Sequence, residues 1–275
     1  MSGFSADWLA LREAADMRAR AASLIGRLRL AFADRAEIAV ADIGCGTGST
    51  VRAVAPALGA RQRWRLYDHD RALLSTARER LSAWAQEADD DGDALRLVWY
   101  GKTLIVTLHE LDLRSGVGPV MAEKPDILTA SALFDLVSPP WIERFAQAVE
   151  GAAVYAALTY DGREEWSPPH PDDARALAAF HAHQRTDKGF GPAAGPDGAT
   201  LLAAALERAG RTVETAYSPW RLGADDAALI AALANGAAGV ALELGGLSAD
   251  EAAAWAADRR GAAACVIGHT DLLAL

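Results

Sequence analysis

Three glycines that alternate with other residues form the turn of this sequence best suited to binding chemistry. The stretch reads VADIGCGTGST over residues 40–50, and a mostly apolar run, residues 36–41, leads into it. Glycine has no Cβ and tolerates positive φ, so alternating glycines permit a tight turn and close approach of the backbone to a ligand. Ser49 and Thr50 are residues that cap the free N–H groups of a helix. Strand, glycine turn and helix N-terminus together predict a nucleotide-binding corner.

The spacing within this turn distinguishes two classes of cofactor. A nicotinamide-binding turn follows the pattern G-x-G-x-x-G, whose last glycine lets helix and strand pack closely. Here Ser49 stands where that glycine is expected, and Gly48 comes one residue too early. Asp42 lies two residues before the first glycine. The pattern D-x-G-x-G-x-G resembles motif I of the class I S-adenosylmethionine-dependent methyltransferases.

This resemblance covers residues 36–160 and 200–275 and implies S-adenosyl-L-methionine as the cofactor. It implies that Asp42 orders the glycine loop and the methionine end of the cofactor. Asp68 ends the second strand, where both cofactor classes place the carboxylate that holds the ribose hydroxyls. An acidic and an apolar residue after the third strand match the pair that contacts adenine. The cofactor-binding residues predicted in this way are Asp42, Gly44, Cys45, Gly46, Gly48, Asp68, His69, Asp112 and Leu113.

A ladder of polar residues runs along the helical pattern of residues 5–31. Trp8, Arg12, Asp16 and Arg20 recur every four residues and share one helix face. Such a ladder commonly forms ion pairs between neighbouring turns. The alternative is that the helix covers the cofactor, with Arg12 or Arg20 binding the methionine carboxylate. Both interpretations stay open at this point.

Candidates for a catalytic role come from the ends of the fourth and fifth strands and from a later helix. Methyl transfer from a sulfonium needs alignment and exclusion of water, and a general base only where the acceptor must lose a proton. Asp135 and Tyr160 follow the two strands, and His183 or His181 could act as a base. Two histidines two residues apart on a helix point about 200° apart, so we expect no metal site there.

One motif is rejected. The run Ser-Pro-Pro-Trp at residues 138–141 is similar to the N-P-P-Y signature of methyltransferases that act on amino groups. That signature directly follows the fourth strand, whereas seven residues, 131–137, intervene here. Ser138 is better explained as a helix N-cap and Pro139 as a first-turn residue.

The elements that must position these residues alternate between strand and helix. This alternation predicts a mostly parallel, doubly wound α/β sheet with helices on both faces. The resemblance implies a Rossmann-like methyltransferase fold of seven strands, with an antiparallel last strand. Acidic residues 87–93 are predicted to be a loop, residues 95–109 a hairpin that turns at Gly101, and the fifth strand to end at Tyr160. One helix, at about residues 172–185, is predicted in the proline-rich stretch that follows. We expect one domain over residues 1–275, with an N-terminal helical cover (1–31) and an inserted lid for the acceptor (161–199).

Composition argues against several classes of partner. The 275 residues carry a formal net charge of −10, which argues against nucleic acid as a partner. We expect no membrane-spanning segment, no signal peptide and a cytoplasmic location with reduced cysteines. The sequence leaves the oligomeric state undetermined.

The leading hypothesis is a methyltransferase with a small-molecule acceptor. A nicotinamide-dependent oxidoreductase and a non-catalytic S-adenosylmethionine-binding protein are the alternatives. Within the methyltransferase class, a macromolecular acceptor (protein, tRNA or rRNA) is a subordinate option.

Overall fold

Strands and helices alternate along the chain in the computed structural model, which describes residues 4–275. Within these residues the strands are β1 (Ile38–Ile43), β2 (Arg61–Asp68), β3 (Glu87–Asp90), β4 (Leu95–Trp99), β5 (Lys102–Glu110), β6 (Ile127–Ser131), β7 (Ala153–Ser167), β8 (Val213–Tyr217), β9 (Trp220–Leu222) and β10 (Ala264–Ala274). The α-helices are α1 (Ala6–Ala19), α2 (Ala22–Ala31), α3 (Ser49–Val54), α4 (Arg71–Trp84), α5 (Gly118–Ala122), α6 (Pro139–Ala148), α7 (Asp173–Gln184), α8 (Gly198–Arg208), α9 (Ala227–Glu243) and α10 (Ala249–Arg260).

All ten strands belong to one sheet in the order β3-β4-β5-β2-β1-β6-β7-β10-β8, with β9 paired to β10. The five strands from β5 to β7 run parallel, and β10 is antiparallel to both β7 and β8. The predicted doubly wound α/β sheet with an antiparallel last strand is therefore confirmed. The predicted count of seven strands is wrong for the described residues, because β3, β4 and β9 extend the seven strands from β5 to β8.

The acidic stretch predicted as a loop is the edge strand β3. It pairs with β4 through the backbone, and all four of its side chains are exposed. Charged side chains on an edge strand prevent pairing with another chain, which explains why such a polar segment can be a strand. The hairpin predicted around Gly101 is confirmed as β4–β5.

Strand β7 runs beyond Tyr160 to Ser167, so the predicted end of the fifth strand is wrong. Residues 164–167 pair with residues 264–267 at the beginning of β10. The proposed lid, residues 161–199, therefore begins as part of the sheet, since antiparallel pairing satisfies the backbone of a polar segment as well as an apolar one. The helix predicted within it is confirmed as α7.

The N-terminal helical pattern is divided into α1 and α2. Arg20 leaves helical geometry with ψ 135°, and the Ala21 N–H donates to Oδ2 of Asp271 at 2.9 Å. Asp271 is fully buried and also accepts from the Leu158 N–H and the Tyr155 hydroxyl. The break is therefore fixed by β10, far away in sequence. The first three residues of the predicted 1–31 segment lie outside the described residues.

Apolar side chains pack on both faces of the sheet. Trp64 and Leu66 lie in the core on one face, and Trp141 and Phe134 lie in the core on the other. A third cluster around Trp255 joins α7, α9 and α10 to the extended ends of β7 and β10.

The prediction that no segment is long and apolar enough to span a membrane is wrong for one helix. The helix over Ala224–Glu243 is long and apolar enough to do so, and about a third of its most apolar stretch is buried against the rest of the protein. A helix in the core of a protein can have the same length and apolar composition.

Candidate functional site

The glycine turn lies at the carboxyl ends of β1 and β2. All three of its glycines have positive φ: Gly44 at 62°, Gly46 at 53° and Gly48 at 75°. The Gly46 N–H donates to Oδ2 of Asp68 at 2.9 Å, which connects the turn to the end of β2. Left-handed geometry at alternate positions is why the sequence needs glycine there. The turn therefore presents backbone at the edge where open α/β sheets bind their ligands.

Two of the predicted acidic residues, Asp68 and Asp112, lie along this edge. The buried Asp68 also accepts from the Asp70 N–H at 3.0 Å, and Nδ1 of the exposed His69 lies 3.2 Å from its Oδ1. Asp112 follows β5, the neighbour of β2, and is exposed. Hydrogen bonds from the Arg114 side chain and N–H lower the pKa of Asp112 to about 2. Leu113, beside it, is buried.

Asp42, at the end of β1, is a fully buried carboxyl group that is only half satisfied. Its Oδ1 accepts from the Thr129 hydroxyl at 2.7 Å, and its Oδ2 has no hydrogen-bond partner among the described residues. Burial raises the pKa of Asp42 to about 7, although the Thr129 hydrogen bond and the positive charge of Arg20 oppose the rise. A buried carboxylate oxygen without a donor is costly, so this position is suited to a cationic or hydrogen-bond-donating ligand.

Arg20 is the matching buried cation. Its Nη2 donates to the Ser131 hydroxyl at 2.9 Å, and that hydroxyl lies 3.1 Å from the hydroxyl of Thr50 at the start of α3. The Nε and Nη1 atoms of Arg20 have no partner among the described residues. An unused carboxylate oxygen and two unused guanidinium donors thus lie buried beside the glycine turn. This pair fits a ligand with an ammonium and a carboxylate close together, as in an α-amino acid.

Helix α1 lies over the glycine turn. A Cβ on Gly46 would come within 3.0 Å of Cδ1 of Leu9, so Leu9 packs directly on the turn. The same helix is attached to α3 by an ion pair of 2.7 Å between Glu13 and Arg52, and Arg52 also donates to the Thr47 carbonyl at 3.0 Å. These contacts place the N-terminal helix where a cover for the cofactor is predicted.

The structure separates Arg12 from Arg20. Arg12 forms the predicted ion pair with Asp16 at 2.9 Å, and its guanidinium carbon lies 5.2 Å from the centre of the Trp220 ring. Trp220 in turn donates through Nε1 to Asp16 at 2.9 Å. The positive charge of Arg12 acts on Asp135, whereas Arg20 acts on Asp42. Of the two arginines predicted to bind a methionine carboxylate, only Arg20 therefore lies beside Asp42.

Asp135 is the second buried carboxyl group with an unused atom. Its Oδ1 has no partner among the described residues. Burial raises the pKa of Asp135 to about 6, opposed by its own backbone N–H, by Arg12 and by the N–H of Tyr160. A buried carboxyl group that titrates near neutral pH, beside a cation, is typical of a general base.

The backbone N–H of Tyr160 lies next to this carboxyl group, and the Tyr160 hydroxyl contacts His181. The hydroxyl is 3.1 Å from Nε2 of His181, and the same Nε2 is 3.0 Å from the Gly162 carbonyl oxygen. Because a carbonyl only accepts, Nε2 must carry the proton, and the tyrosine is left free to donate elsewhere. Burial raises the pKa of Tyr160, so the tyrosine serves as a hydrogen-bond donor and not as a base.

His183 is not brought to this cluster. It is two residues from His181 on α7, and its ring lies 3.4 Å from Nζ of Lys188. His181, the other histidine that the sequence suggested as a base, is the one that contacts Tyr160. Within residues 4–275 no group of three histidine, cysteine or acidic side chains is arranged to hold a metal ion.

Several residues of the cluster were not singled out from the sequence. His269, in the middle of β10, is buried beside Trp220 and Tyr160, and burial lowers its pKa to about 3, so it is neutral. Its Nδ1 has no partner among the described residues. Ser131 binds Arg20. Only the position of Ser131 directly after the fourth predicted strand, residues 126–130, could have pointed to it.

The end of the proposed lid packs against the segment that carries Asp135. The Gly195 N–H donates to the Asp135 carbonyl at 2.9 Å, and the Ala194 N–H to the Val137 carbonyl at 2.8 Å. A Cβ on Gly198 would lie 2.5 Å from the Phe134 carbonyl oxygen, so only glycine allows this approach. Residues 194–198 therefore form one wall beside Asp135.

Comparisons with solved structures agree on the architecture. A methyltransferase of Geobacter sulfurreducens described as S-adenosylmethionine-dependent, solved with S-adenosyl-L-homocysteine, matches with a TM-score of 0.50 and 16% identity over 99% of both chains. A candidate methyltransferase of Bacillus halodurans matches with a TM-score of 0.50 and 13% identity over 92% of this chain and 98% of that one. No protein-family profile matches the sequence, and no curated protein matches it significantly. The chain therefore has the Rossmann-like fold of the class I methyltransferases.

Proposed function

We propose that this protein is an S-adenosylmethionine-dependent methyltransferase that acts on a small-molecule acceptor. The observation that carries the proposal is the buried pair beside the glycine turn: Asp42 has an unused carboxylate oxygen and Arg20 has two unused guanidinium donors. A nucleotide-binding turn next to a site for an amino acid matches a ligand that is both a nucleoside and an amino acid. A nicotinamide dinucleotide has no amino-acid group to satisfy these atoms.

The chain's own residues divide the binding of such a ligand between them. Arg20 would bind the α-carboxylate and Asp42 the α-ammonium group. Asp68 would accept hydrogen bonds from the ribose hydroxyls, and Asp112 with Leu113 would flank the adenine. Gly46, with Gly44 and Gly48 at either side, lets the backbone approach the ligand. When bound, S-adenosylmethionine supplies a methyl group that its positively charged sulfur activates.

On the acceptor side, Asp135 is the proposed general base. At pH 7.5 a carboxyl group with a pKa of about 6 is mostly ionised, so Asp135 can take a proton from an acceptor O–H or N–H. Tyr160 would donate a hydrogen bond to the acceptor, and Arg12 would stabilise negative charge that develops as the proton leaves. His181 fixes the orientation of the Tyr160 hydroxyl and is a positioning residue.

The proposed acceptor is a small molecule because segments of this chain enclose the cluster of Asp135, Tyr160 and His181. Helix α1 covers it on one side, and residues 194–198 of the lid pack against the segment of Asp135 on another. A net charge of −10 disfavours nucleic acid. The two cysteines are free and buried, in keeping with the proposed cytoplasmic location.

Calorimetry tests the cofactor assignment. We expect S-adenosylhomocysteine to bind purified protein and NAD to bind far more weakly. Arg20→Gln should weaken the binding of S-adenosylhomocysteine at least about tenfold, since it removes charge-assisted hydrogen bonds. Arg29→Gln, on the exposed side of α2, is the matched control and should bind normally. Preferential binding of NAD would contradict the proposal and favour an oxidoreductase.

Turnover tests the acceptor side. A mass-spectrometric screen of metabolites with ionisable O–H or N–H groups should reveal a methylated product. Asp135→Asn should lower kcat by about 10²–10⁴ and leave S-adenosylhomocysteine binding unchanged. Full activity of Asp135→Asn would exclude the carboxylate as base, and binding without any turnover would favour a non-catalytic protein.

A further inference from the structure

A cavity of about 520 Å³ lies between α1 and the ends of β7, β8 and β9, apart from the glycine turn. We call it the arginine cavity. Its lining residues are Ala15, Arg18, Ala19, Arg163, Tyr217, Pro219 and Arg221. The volume is within the range of small-molecule sites, roughly 300–1,000 Å³.

Three guanidinium groups line this cavity in a protein of net charge −10. Arg18 is paired with Asp226 at 2.6 Å, and Arg163 is paired with Asp161. Arg221 is exposed and has no hydrogen-bond or ion-pair partner among the described residues. None of the lining side chains in the described part of the chain is acidic. Two of the three guanidinium groups are thus paired with aspartates outside the lining, and Arg221 is left as a cation without a partner among the described residues.

Arg163 is held in a fixed position. Its Nε donates to Asp161 Oδ1 at 3.0 Å, and its guanidinium carbon lies 3.8 Å from the centre of the Tyr217 ring. The ion pair lies on β10 at Gly268, where a Cβ would come within 2.2 Å of Asp161 Oδ1 and 2.7 Å of Arg163 Cβ. Thr270 also donates to Asp161 at 3.2 Å. Because Gly268 has no side chain, the ion pair of Asp161 and Arg163 fits against β10. This ion pair holds the Arg163 guanidinium against the Tyr217 ring before any ligand binds.

We propose that the arginine cavity binds a planar organic anion, a molecule that carries a carboxylate or phosphate next to a flat ring. Guanidinium groups form paired hydrogen bonds with both oxyanions, so Arg221, the cation without a partner, is the primary contact and Arg163 the second. The ring of Tyr217 is 71% exposed and offers a surface on which a flat ring can stack. The site is separate from the buried pair of Asp42 and Arg20.

The binding test needs no turnover and no knowledge of the acceptor. Benzoate and phenyl phosphate serve as anionic probes, and benzamide as the uncharged planar control, in saturation-transfer NMR and calorimetric titrations. We expect at least one anion to bind with one-to-one stoichiometry and at least about tenfold more tightly than benzamide. The affinity should fall as salt rises from 50 to 500 mM. Saturating S-adenosylhomocysteine should leave it unchanged.

Single-residue variants locate the site. Arg221→Gln, at an exposed position, should weaken binding of the anion about tenfold, which corresponds to about 1.4 kcal/mol. Tyr217→Ala should weaken it as well, and Arg96→Gln, on the exposed side of β4, is the matched control. The proposal is overturned if neither anion binds more tightly than benzamide, if Arg221→Gln binds as wild type does, or if S-adenosylhomocysteine displaces the probe.

Discussion

The ionisation of Asp42 should make cofactor affinity depend on pH. In the ligand-free protein burial raises the pKa of this carboxyl group to about 7. An α-ammonium group placed against its unused oxygen would favour the carboxylate, because opposite charges attract strongly in a buried site. Binding of S-adenosylhomocysteine below pH 7 should therefore release a proton from Asp42.

The magnitude follows from the pKa. With a pKa of about 7, about nine-tenths of the free molecules are protonated at pH 6 and about one-tenth at pH 8. If the ammonium group lowers the pKa of Asp42 below about 5 in the complex, the affinity rises about tenfold from pH 6 to pH 8, or about 1.4 kcal/mol. The same linkage gives about 0.9 proton released for each molecule bound at pH 6.

Calorimetry in two buffers of different ionisation enthalpy measures that proton directly. Titrations with S-adenosylhomocysteine at pH 6, 7 and 8 should show the tenfold rise in wild type. Asp42→Asn should bind more weakly at pH 8 and should lose both the proton release and the pH dependence. Asp135→Asn is the control, because it removes a carboxyl group with a similar pKa, about 6, on the acceptor side. Wild-type affinity that is constant between pH 6 and 8, or proton release that persists in Asp42→Asn, would refute the reasoning.

Other predictions concern stability, cofactor contacts and the rejected motif. Folding raises the pKa of Asp42 from 3.8 to about 7, so between these pH values the folded protein binds more protons than the unfolded one. The free energy of unfolding therefore falls as pH rises through this range, by up to about 4 kcal/mol. Urea unfolding at pH 5.5 and 8.5 should show a smaller loss of stability in Asp42→Asn than in wild type. Asp68→Ala should weaken S-adenosylhomocysteine binding by about 1–3 kcal/mol in calorimetry, and unchanged affinity would exclude the ribose role. Gly46→Val should weaken it further, because a branched side chain must adopt φ 53° and its Cβ would meet Cδ1 of Leu9 at 3.0 Å, which would displace the turn or α1. Pro139→Ala and Pro140→Ala should leave kcat almost unchanged, and a large loss with normal cofactor binding would restore the motif.

The glycine turn and its acidic neighbours were predictable because their signals are local. Glycine at alternate positions reports positive φ, and an acidic residue at the end of a predicted strand lies at a known edge of the sheet. The structure confirms the φ values of Gly44, Gly46 and Gly48, and it places Asp42 and Asp68 at that edge. Their roles toward a cofactor stay predictions.

The choice between Arg12 and Arg20 could not be made from sequence. Both lie on the same helical ladder, and what separates them is the break at Ala21, which depends on a hydrogen bond to Asp271. That partner lies 250 residues away. The edge strand β3 shows the same limit, because backbone pairing with a neighbour overrode a composition typical of loops. Tertiary contacts, not local propensity, decide both cases.

Helix α1, or the residue directly after it, contributes a side chain to each of the three proposed binding sites. Arg12 faces Asp16 and Trp220 on the acceptor side, Arg18 lines the arginine cavity, and Arg20, directly after the helix, binds Ser131 beside Asp42. Few apolar residues of α1 are buried, and ion pairs supply much of its attachment. The pair of Arg18 with Asp226 is exposed at Arg18 and contributes little to stability, about 0–1 kcal/mol. Arg52, which pairs with Glu13, and Arg12, which pairs with Asp16, are buried. Breaking a buried ion pair is costly, so α1 is held in one position and we expect ligands at the three proposed sites to bind without affecting one another.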